Sequence, residues 1–532
     1  MGHFVNPGSR KFEMSLNSEI YVDKSDLIIH TNRLFDTERR FICISRPRRF
    51  GKTMAANLMA AYYGSGEDTH ELFQDLKIAN HPTYEKHLNQ YHVLMLNIQE
   101  FLSRSKSVEG MLELLITEVT QDFKEIYPEI NYEQATDFVQ VMRLTYQYCK
   151  KPFVILIDEW DCLFREFKDD LDSQKTYLEF LRLWLKDQAY VGLAYMTGIL
   201  PIKKYGTQSA LNMFKEYSMT NPSRFLDYFG FSTDEVKDLC HQYGIDFSEM
   251  KNWYNGYFIE LGKPIYSPKS VVSALEDGVF DNYWNKTETY ESLRDYIRLD
   301  FDGLRDKVTL MLADDAVKVN INTFTNDMRT FDSADDVLAL LIHLGYLAYH
   351  HERKIVRIPN EEVKSEFVNS MQSLRWSNVI TAIESSNKLL HAIWNQDGET
   401  VAKGIEKVHE ENTSILQYND ENSLSCVLSL ALYGARDYYS IIRELPSGKG
   451  YADLVFLPRK KFLDKPAIVV ELKWDQSVES AIDQIKQKNY LAALDEYEGN
   501  LLLVGMAYDK QDKSHRCVIE EFIKWGCLAK ES

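Results

Sequence analysis

A loop rich in arginine, with one glycine, follows the first strand-like apolar segment and has the residue types that bind phosphate. The segment Phe41–Ser45 is apolar, and residues 46–53 read Arg-Pro-Arg-Arg-Phe-Gly-Lys-Thr before a stretch with helical periodicity. Glycine lets the backbone approach a phosphate, and the free amides of a helix N-terminus point at the anion. The adjacent lysine can reach the β- and γ-phosphates, and the threonine hydroxyl can bind Mg²⁺. The general pattern has glycine where Arg46 stands, so the loop alone leaves open a helix N-terminus that merely contains Gly-Lys-Thr.

An apolar strand that ends in two carboxylates provides the second element of such a site. Residues 153–157 read Phe-Val-Ile-Leu-Ile, and Asp158 and Glu159 follow directly. At a strand end beside the loop, Asp158 is placed to hold Mg²⁺ through water, and Glu159 is placed to polarise an attacking water. A solvated acidic strand terminus is common by itself. The two elements in this order, on strands of one predicted sheet, predict a site for ATP and Mg²⁺.

Other polar residues could complete this site. Thr197 ends another predicted strand and could sense the γ-phosphate, although a threonine at a strand end needs no such role. Arg224 could act as a transition-state arginine, but nothing local distinguishes it from a surface arginine. The residues predicted to bind the nucleotide are Arg46, Arg48, Arg49, Phe50, Gly51, Lys52, Thr53, Asp158 and Thr197, of which Thr53 and Asp158 are also the predicted metal ligands. Glu159 is the predicted catalytic residue.

A second set of charged residues, near the C-terminus, could hydrolyse a phosphodiester. Asp453 lies on one predicted strand, and Glu471 and Lys473 lie two residues apart on the next. Strand side chains alternate, so Glu471 and Lys473 point to the same face, and Asp453 joins them if its strand is adjacent. Asp453 and Glu471 would hold Mg²⁺, while Lys473 would orient or activate a water. Gln484, on an amphipathic helix, could support the site. The same residue types also form structural salt bridges, and the spacing alone leaves both interpretations open.

Two nearby features have an ordinary explanation beside a functional one. Glu421 could complete the acidic cluster, although acids near helix N-termini also favour the helix dipole. Residues 459–461 read Arg-Lys-Lys, a basic run that could contact phosphate but is typical of a solvated loop.

The elements that must position these groups form two α/β segments. From about residue 15 to 290, helical stretches alternate with predicted strands at 41–45, 93–98, 153–157, 191–197 and 217–219. This alternation predicts an α/β fold, a parallel sheet with helices on both faces. Residues 417–532 are predicted to form a compact α/β domain in the order helix, three strands, helix and strand.

Between these segments, residues 291–416 are mostly helical. A helix at 340–344 precedes two short strands at 346–350 and 354–358, which is typical of a winged-helix-like element. Such elements bind DNA in some proteins and serve as structural lids in ATPases. The predicted domains are therefore 15–290, 291–416 and 417–532.

Bulk composition restricts the class of protein. The 532 residues are enough for about three or four domains, and hydrophobic residues make up 45%. The formal net charge of −19 argues against a protein that coats nucleic acid or an anionic membrane, although it does not exclude a local basic groove. The seven scattered cysteines favour reduced thiols over a zinc site or a disulfide framework. Residues 1–10 have no apolar signal region, and the apolar runs are too short to span a bilayer, so we expect a cytoplasmic protein without a membrane partner. The oligomeric state is left open, and an oligomer is compatible with the sequence.

Several of these motifs together resemble the predicted AAA-type ATPases that are abundant in gut bacteria. The matching motifs are 21–24, 46–53, 157–161, 197–200, 228–231, 253–257 and 266–271. The family's loop also reads Arg-Pro-Arg-Arg-Phe-Gly-Lys, so Arg46 is no departure from it, whereas Trp160 stands where the family has tyrosine. The resemblance implies an AAA-like nucleotide-binding core with Lys52, Thr53 and Asp158 as its site.

Members of that family usually carry a C-terminal nuclease domain, and residues 421–507 resemble the PD-(D/E)XK nuclease superfamily. The matching residues are Gly448, Lys449, Gly450, Asp453, Glu471, Lys473, Gln484, Ile485 and Tyr490. The resemblance implies a restriction-endonuclease-like α/β fold. In that fold Asp453, Glu471, Lys473 and Gln484 are the catalytic residues, and Asp453 and Glu471 bind the metal.

Two functions are compatible with this sequence. In the first, ATP binding and hydrolysis control a Mg²⁺-dependent nuclease that acts on DNA, in DNA processing or in defence against foreign DNA. In the second, ATP switches a regulator that grips DNA or a protein, and the nuclease-like domain does not cleave. The acidic net charge favours a protein partner in the second case.

Overall fold

The computed structural model describes most of the chain as helices, strands and turns. The described residues are 2–202, 211–257, 263–284, 290–299, 301, 303–325, 331–374, 377–411, 421–447, 450–487, 497 and 499–522. In this part of the chain the strands are β1 Phe41–Ser45, β2 His92–Asn97, β3 Phe153–Asp158, β4 Val191–Gly198, β5 Lys215–Tyr217, β6 Phe231–Ser232, β7 Ile265–Tyr266, β8 Val317–Lys318, β9 Ala348–His350, β10 Ile355–Arg357, β11 Tyr439–Ser447, β12 Gly450–Pro458, β13 Ala467–Trp474, β14 Leu501–Asp509 and β15 Ser514–Phe522. The α-helices are α1 Arg10–Leu16, α2 Leu27–Leu34, α3 Lys52–Tyr63, α4 His70–Phe73, α5 Tyr84–His87, α6 Ile98–Arg104, α7 Val108–Ile126, α8 Phe138–Cys149, α9 Cys162–Glu166, α10 Leu171–Leu185, α11 Thr233–Tyr243, α12 Phe247–Tyr254, α13 Pro268–Asp277, α14 Tyr290–Ile297, α15 Leu304–Leu312, α16 Ala334–Leu344, α17 Glu361–Leu374, α18 Ser377–Trp394, α19 Gly398–Glu411, α20 Glu421–Ala431 and α21 Val478–Gln487.

The chain divides into two compact units. The first unit comprises Met1–Phe247, Tyr254–Val279 and Lys318–Pro359, and the second comprises Ser248–Trp253, Phe280–Val317 and Asn360–Ser532. The boundaries of the three domains stay a prediction. Among the described residues, no helix combines the length and the apolar character that crossing a lipid bilayer requires.

The first unit is built on a parallel sheet. Its strand order, within the described residues, is β2-β3-β4-β1-β5, and each neighbouring pair is parallel. Every residue of β1, β3 and β4 is buried, which requires that both faces of the sheet are covered. The predicted α/β fold class is thereby confirmed, and the predicted strands agree with the observed ones to within two residues.

The carboxyl ends of β1, β3 and β4 meet at one edge of this sheet. The register pairs Ser45 with Gly198 and Ile157 with Met196. The loop after β1, the carboxylate Asp158 and the hydroxyl of Thr197 are therefore brought to the same edge. In open α/β sheets this is the edge at which ligands bind.

A helix followed by a hairpin lies at 334–357, as predicted for the winged-helix-like element. α16 begins with a capping box in which Ser333 and Asp336 bind each other's backbone amides. Gly345 follows its last residue and has a φ of +89°, which is readily adopted only by glycine. β9 and β10 then pair antiparallel, with Ile355 opposite His350.

The second unit contains a mixed sheet. Its order among the described residues is β11-β12-β13-β14-β15; β13 and β14 are parallel and the other pairs are antiparallel. α21 packs against β14 so closely that a Cβ at Gly505 would lie 2.9 Å from the carbonyl oxygen of Val478. The predicted element order is confirmed as far as β14. β15 was missed because it is an edge strand whose residues are mostly half-exposed, which hides the apolar pattern.

Two buried histidines pack against the same aromatic ring in the second unit. The rings of His409 and His515 lie 5.3 Å apart, and both contact Tyr508. The pKa of each histidine is lowered to about 4, chiefly by burial, and at His515 the neighbouring His409 contributes to the lowering. Both rings are therefore neutral in the folded protein at neutral pH.

We expect the protein to lose stability as the pH falls from 6.5 to about 4, since unfolded histidines take up protons near pH 6.5 and the folded pair resists until about pH 4. The loss is on the order of 1–2 kcal/mol for each histidine at about pH 5. In the double variant His409→Gln/His515→Gln, the thermal unfolding midpoint should depend less steeply on pH over this range. His241→Gln, at an exposed histidine, should keep the wild-type slope. An unchanged slope in the double variant would contradict the expectation.

Candidate functional site

The loop after β1 has the backbone of a phosphate cradle. Gly51, which precedes α3, has a φ of +87°, and a Cβ built there would meet no atom within 4 Å. Arg49 also has a positive φ of +69°. These turns bring the chain from β1 into the first turn of α3, whose amides have no carbonyl of a preceding turn to bind. The open side of Gly51 and these amides suit a triphosphate.

The ammonium of Lys52 is held inside the loop. Its Nζ donates hydrogen bonds to the carbonyl oxygens of Arg46 at 3.0 Å and Pro47 at 2.9 Å, and the residue is only 4% exposed. Burial lowers the pKa of Lys52, while the carboxylates of Glu159 and Asp158 act in the opposite direction. A bound phosphate would place negative charge beside the buried ammonium of Lys52 and so stabilise its charged form.

Asp158 joins the loop to the neighbouring strand ends. The hydroxyl of Thr53 donates to its Oδ2 at 2.7 Å, and the hydroxyl of Thr197 donates to its Oδ1. Asp158 is 1% exposed and Thr197 is fully buried. A carboxylate and a hydroxyl at this distance are the hard oxygen ligands that Mg²⁺ prefers, so the donor set fits that ion. Through its hydrogen bond, the buried Thr197 holds the carboxylate of Asp158 in place.

Glu159, the predicted catalytic carboxylate, lies beside this pair. Its φ of +53° is uncommon for a residue with a side chain, and such conformations concentrate at functional sites. The residue lines the cavity above the loop together with Lys52 and Thr53. Its carboxylate binds the guanidinium of Arg165, a residue that the sequence did not indicate.

Arg46 is directed away from this cavity, contrary to the expectation that it contacts the nucleotide. Its fully buried guanidinium donates to the carbonyl oxygens of Ser45 at 2.8 Å and Tyr217 at 2.9 Å, and it lies over the ring of Phe229. The residue does not belong to the set that lines the cavity. Arg46 therefore ties the loop to β5, which explains how an arginine can replace the first glycine of the general pattern.

Three further loop residues line the cavity. Arg48 is exposed and Arg49 is half-buried. Phe50 also lines it, although the residue is fully buried and its ring packs edge-on against Tyr257 at 5.1 Å. Arg224 is exposed on the 3-10 helix Ser223–Tyr228 and is not among the lining residues.

The cavity beside the loop has a volume of about 520 Å³ and a largely apolar wall. The apolar side chains that line it include Phe12, Ile20, Val22, Met54, Leu58 and Phe231. They come from the N-terminal segment, α3 and β6, and Lys269 in the first turn of α13 closes another side. The sequence motifs at 21–24, 228–231 and 266–271 had no assigned role, and the structure places residues of all three at this cavity.

Lys24 fixes the N-terminal wall of the cavity. Its Nζ donates to the carboxylate of Glu235 at 2.7 and 2.8 Å and to the carbonyl oxygen of Asp227 at 2.8 Å. Burial lowers the pKa of Lys24, and Glu235 opposes that effect. Sequence spacing could not reveal this contact because the ion-pair partners are 211 residues apart.

The structure brings the four predicted residues of the C-terminal site together. The register of β12 and β13 pairs Leu454 with Val470, and the amide of Leu472 donates to Asp453 Oδ2 at 2.7 Å. Lys473 Nζ lies 3.3 Å from Glu471 Oε1, and Gln484 Nε2 donates to the same oxygen. Glu471 is 2% exposed and Lys473 is 7% exposed.

Two carboxylates on adjacent strands provide hard oxygen ligands, which fits Mg²⁺. In the described part of the chain, no group of three or more His, Cys, Asp or Glu side chains is arranged to hold a metal ion. Gly448, Lys449, Tyr490 and the side chain of Glu421 lie outside the described residues.

The basic run at 459–461 begins with an arginine that is engaged within the second unit. Arg459 Nε lies 3.4 Å from Glu249 Oε1, and its guanidinium lies over the ring of Trp253. This placement favours a structural role for Arg459. Lys460 and Lys461 are exposed.

Known proteins resemble this chain in sequence and, weakly, in structure. A protein of Azotobacter chroococcum mcd 1, described as an uncharacterized protein in the vnfD 5' region, is 24% identical over 379 residues, which are 67% of each chain. The ORC2 protein of Aeropyrum pernix, in its ADPNP–ADP complexes, aligns with 68% of this chain and 98% of its own at 11% identity and a TM-score of 0.30. Cdc6p of Pyrobaculum aerophilum aligns with 66% of this chain and 93% of its own at 10% identity and a TM-score of 0.22. Scores this low carry no conclusion about this chain.

Two family models match separate segments of the sequence. Residues 8–207 match the model described as "Predicted AAA-ATPase", and residues 419–518 match the PD-(D/E)XK nuclease superfamily. The first segment includes the loop, Asp158, Glu159 and Thr197. The second includes Asp453, Glu471, Lys473 and Gln484. The resemblance inferred from the sequence is confirmed: the predicted AAA-ATPase model and the PD-(D/E)XK nuclease superfamily model match the two segments in which it was expected.

Proposed function

We propose that the first unit binds ATP with Mg²⁺ and hydrolyses it. One observation carries this proposal. The hydroxyl of Thr53 lies 2.7 Å from the carboxylate of Asp158, and both Thr53 and Lys52 line a cavity of about 520 Å³. Small-molecule sites typically have volumes of about 300–1,000 Å³. A cation, a metal-binding oxygen pair and an apolar cavity together suit the phosphates and the base of a nucleotide.

The phosphate end is assigned to the loop and the strand ends. The first amides of α3 bind phosphate oxygens, and Lys52 exchanges its carbonyl partners for them. Thr53 and Asp158 would hold Mg²⁺, which neutralises charge on the phosphates when it is bound. Thr197 keeps Asp158 in place, and Glu159 orients the attacking water.

The base end is assigned to the apolar wall of the cavity. Ile20 and Val22 from the N-terminal segment face the same cavity as Leu58 and Phe231. A flat purine that enters such a space removes apolar surface from water, and that burial stabilises it. The ion pair between Lys24 and Glu235 holds this wall in position.

Lys24→Met is expected to weaken ATP binding about tenfold, because charge-assisted hydrogen bonds contribute about 1.5–3 kcal/mol and here they fix the wall rather than touch the nucleotide. Titration calorimetry with ATP and Mg²⁺ measures the change. Lys263→Met is the matched control, since Lys263 pairs with Asp227 at 3.4 Å but is 61% exposed. Equal effects of the two substitutions on ATP affinity would argue against a role of the Lys24–Glu235 ion pair in positioning the cavity wall.

We also propose that the C-terminal domain cleaves a phosphodiester bond of DNA. Asp453 and Glu471 would hold Mg²⁺, which supplies charge stabilisation at the phosphate when it is bound. Lys473 orients the attacking water from the same face of β13 as Glu471. Gln484 fixes the carboxylate of Glu471 through its hydrogen bond. ATP turnover in the first unit would control this cleavage.

One observation favours the alternative, a regulator switched by ATP that does not cleave. Arg459, the first cation of the basic run, is engaged by Glu249 and Trp253 instead of facing solvent. Together with the net charge of −19, this favours a protein partner over DNA.

The full-length protein tests both proposals. Calorimetric titration with ATP and Mg²⁺ should show one site, and phosphate release should accompany it. Incubation with plasmid and linear DNA, with and without ATP, should show metal-dependent cleavage that chelation abolishes. Absence of any nucleotide binding would overturn the first proposal. Binding and turnover without cleavage of any DNA would favour the regulator.

A further inference from the structure

Arg165 contacts the carboxylate on which ATP hydrolysis would depend. Its Nη2 binds Oε2 of Glu159, and its Nε lies 3.5 Å from Oδ2 of Asp161. The arginine side chain is only 10% exposed, and that of Glu159 is 21% exposed. The contact is thus a largely buried ion pair, in contrast to a loose surface contact.

The local backbone holds both partners in place. The amide of Trp160 donates to the carbonyl oxygen of Thr197 at 3.0 Å, so the turn after β3 is fixed to the end of β4. Asp161 accepts hydrogen bonds from the amides of Ile199 at 3.0 Å and Leu200 at 2.7 Å. α9 begins directly after Asp161, which places Arg165 one helical turn farther along.

The turn is also tightly packed. A Cβ at Gly198 would lie 2.6 Å from Oδ1 of Asp161 and 2.7 Å from Nε1 of Trp160, so a side chain there would displace both. Glu159 has a positive φ of +53° within the same turn. A backbone this constrained leaves the carboxylate of Glu159 little freedom except about its own side-chain bonds, and Arg165 fixes those.

Arg165 pairs with two carboxylates, and only that of Glu159 is at the cavity. Asp161 is fully buried and already has two backbone amides, whereas Glu159 lines the cavity. Removing one member of a buried ion pair is strongly unfavourable, because the other charge is left without compensation. While the guanidinium binds Oε2, the lone pairs of that oxygen are directed at Arg165 and not at a water in the cavity.

We propose that Arg165 is a positioning residue that keeps Glu159 in a resting state, so that ATP binds before water is activated. The inference rests on the proposed ATP hydrolysis at this site. In hydrolysis the water oxygen bonds to the γ-phosphorus, and the bond to the bridging oxygen breaks with its electron pair leaving on ADP. The proton that the water loses passes to Glu159. That last transfer requires Glu159 to exchange Arg165 for the water.

A double-mutant cycle on thermal unfolding, without any ligand, tests the ion pair. Arg165→Gln should lower the unfolding midpoint, and Glu159→Gln added to it should restore part of the loss, because one of the two carboxylates that lost their counter-ion is then neutralised. The exposed pair Arg182 and Glu179, at 2.9 Å, is the matched control and should show little coupling. Additive effects at Arg165 and Glu159 would overturn the proposal.

Turnover and affinity, measured separately, test the resting state. Arg165→Gln should raise the kcat of ATP hydrolysis at least about threefold while the Kd for ATP changes less than about threefold. Arg165→Lys, which keeps a positive charge, should return kcat towards the wild-type value. If Arg165→Gln does not fold, the cycle and kcat are measured with Arg165→Lys, which should then show a smaller coupling and a smaller rise.

The outcomes separate this inference from the proposed function. If the wild type and the variants bind ATP but Arg165→Gln is no faster than the wild type, the inference alone is overturned. If the wild-type protein binds no ATP, the proposed function is overturned, and the inference with it. A faster variant whose turnover Glu159→Gln abolishes supports both.

Discussion

Lys52→Ala is expected to weaken ATP binding roughly a hundredfold and to abolish measurable hydrolysis. The ammonium is buried, and two loop carbonyl oxygens hold it at 3.0 and 2.9 Å in the position from which it would reach a phosphate. Charge-assisted hydrogen bonds of this kind contribute about 1.5–3 kcal/mol each, and a loss of about 2.7 kcal/mol is a hundredfold in affinity. Titration calorimetry and phosphate release with ATP and Mg²⁺ measure the two effects.

The control for this substitution is Lys175→Ala, which removes an exposed lysine from α10 of the same unit. It should leave both affinity and turnover at wild-type values. The fold of Lys52→Ala should be intact, as judged by circular dichroism and the unfolding midpoint, since the lost bonds lie in one loop. Undiminished ATP affinity in Lys52→Ala would remove the loop from the binding site.

Lys473→Ala is expected to lower DNA cleavage by roughly 10²- to 10⁴-fold, the usual contribution of a positioned acid–base group. Its ammonium lies 3.3 Å from Glu471 Oε1 and is 7% exposed, so no solvent cation replaces it easily. The measurement is the initial rate of cleavage of end-labelled DNA with saturating Mg²⁺. ATP binding in the first unit should be unaffected.

An exposed lysine in the same unit provides the control. Lys403→Ala breaks a surface ion pair with Glu399, in which both side chains are more than 70% exposed, and should cleave at the wild-type rate. Asp453→Asn should lower cleavage at least as strongly as Lys473→Ala does, because it removes a proposed metal ligand. Cleavage that survives both substitutions at the wild-type rate would place the active site elsewhere.

The side-chain contacts that could not be predicted join residues far apart in the sequence, and no sequence periodicity indicates them. Lys24 and Glu235 are separated by 211 residues, and no spacing rule connects them. Arg46 matched the phosphate-loop pattern of the family, yet its guanidinium binds the carbonyl oxygen of Tyr217 on β5. This role of Arg46 depends on the packing of β5 beside β1, which the sequence pattern does not reveal.

The elements whose chemistry is local could be predicted from the sequence. Residues 46–53 and the acidic end of β3 predict a phosphate loop and a metal carboxylate because backbone and side chain act within one turn, and the period-two alternation of β13 puts Glu471 and Lys473 on one face. The remaining features required the folded structure. It assembled the apolar cavity from the N-terminal segment, α3 and β6, placed Arg165 on Glu159, and added the edge strand β15. Contacts between distant segments depend on how helices and strands pack, and local sequence patterns do not indicate that packing.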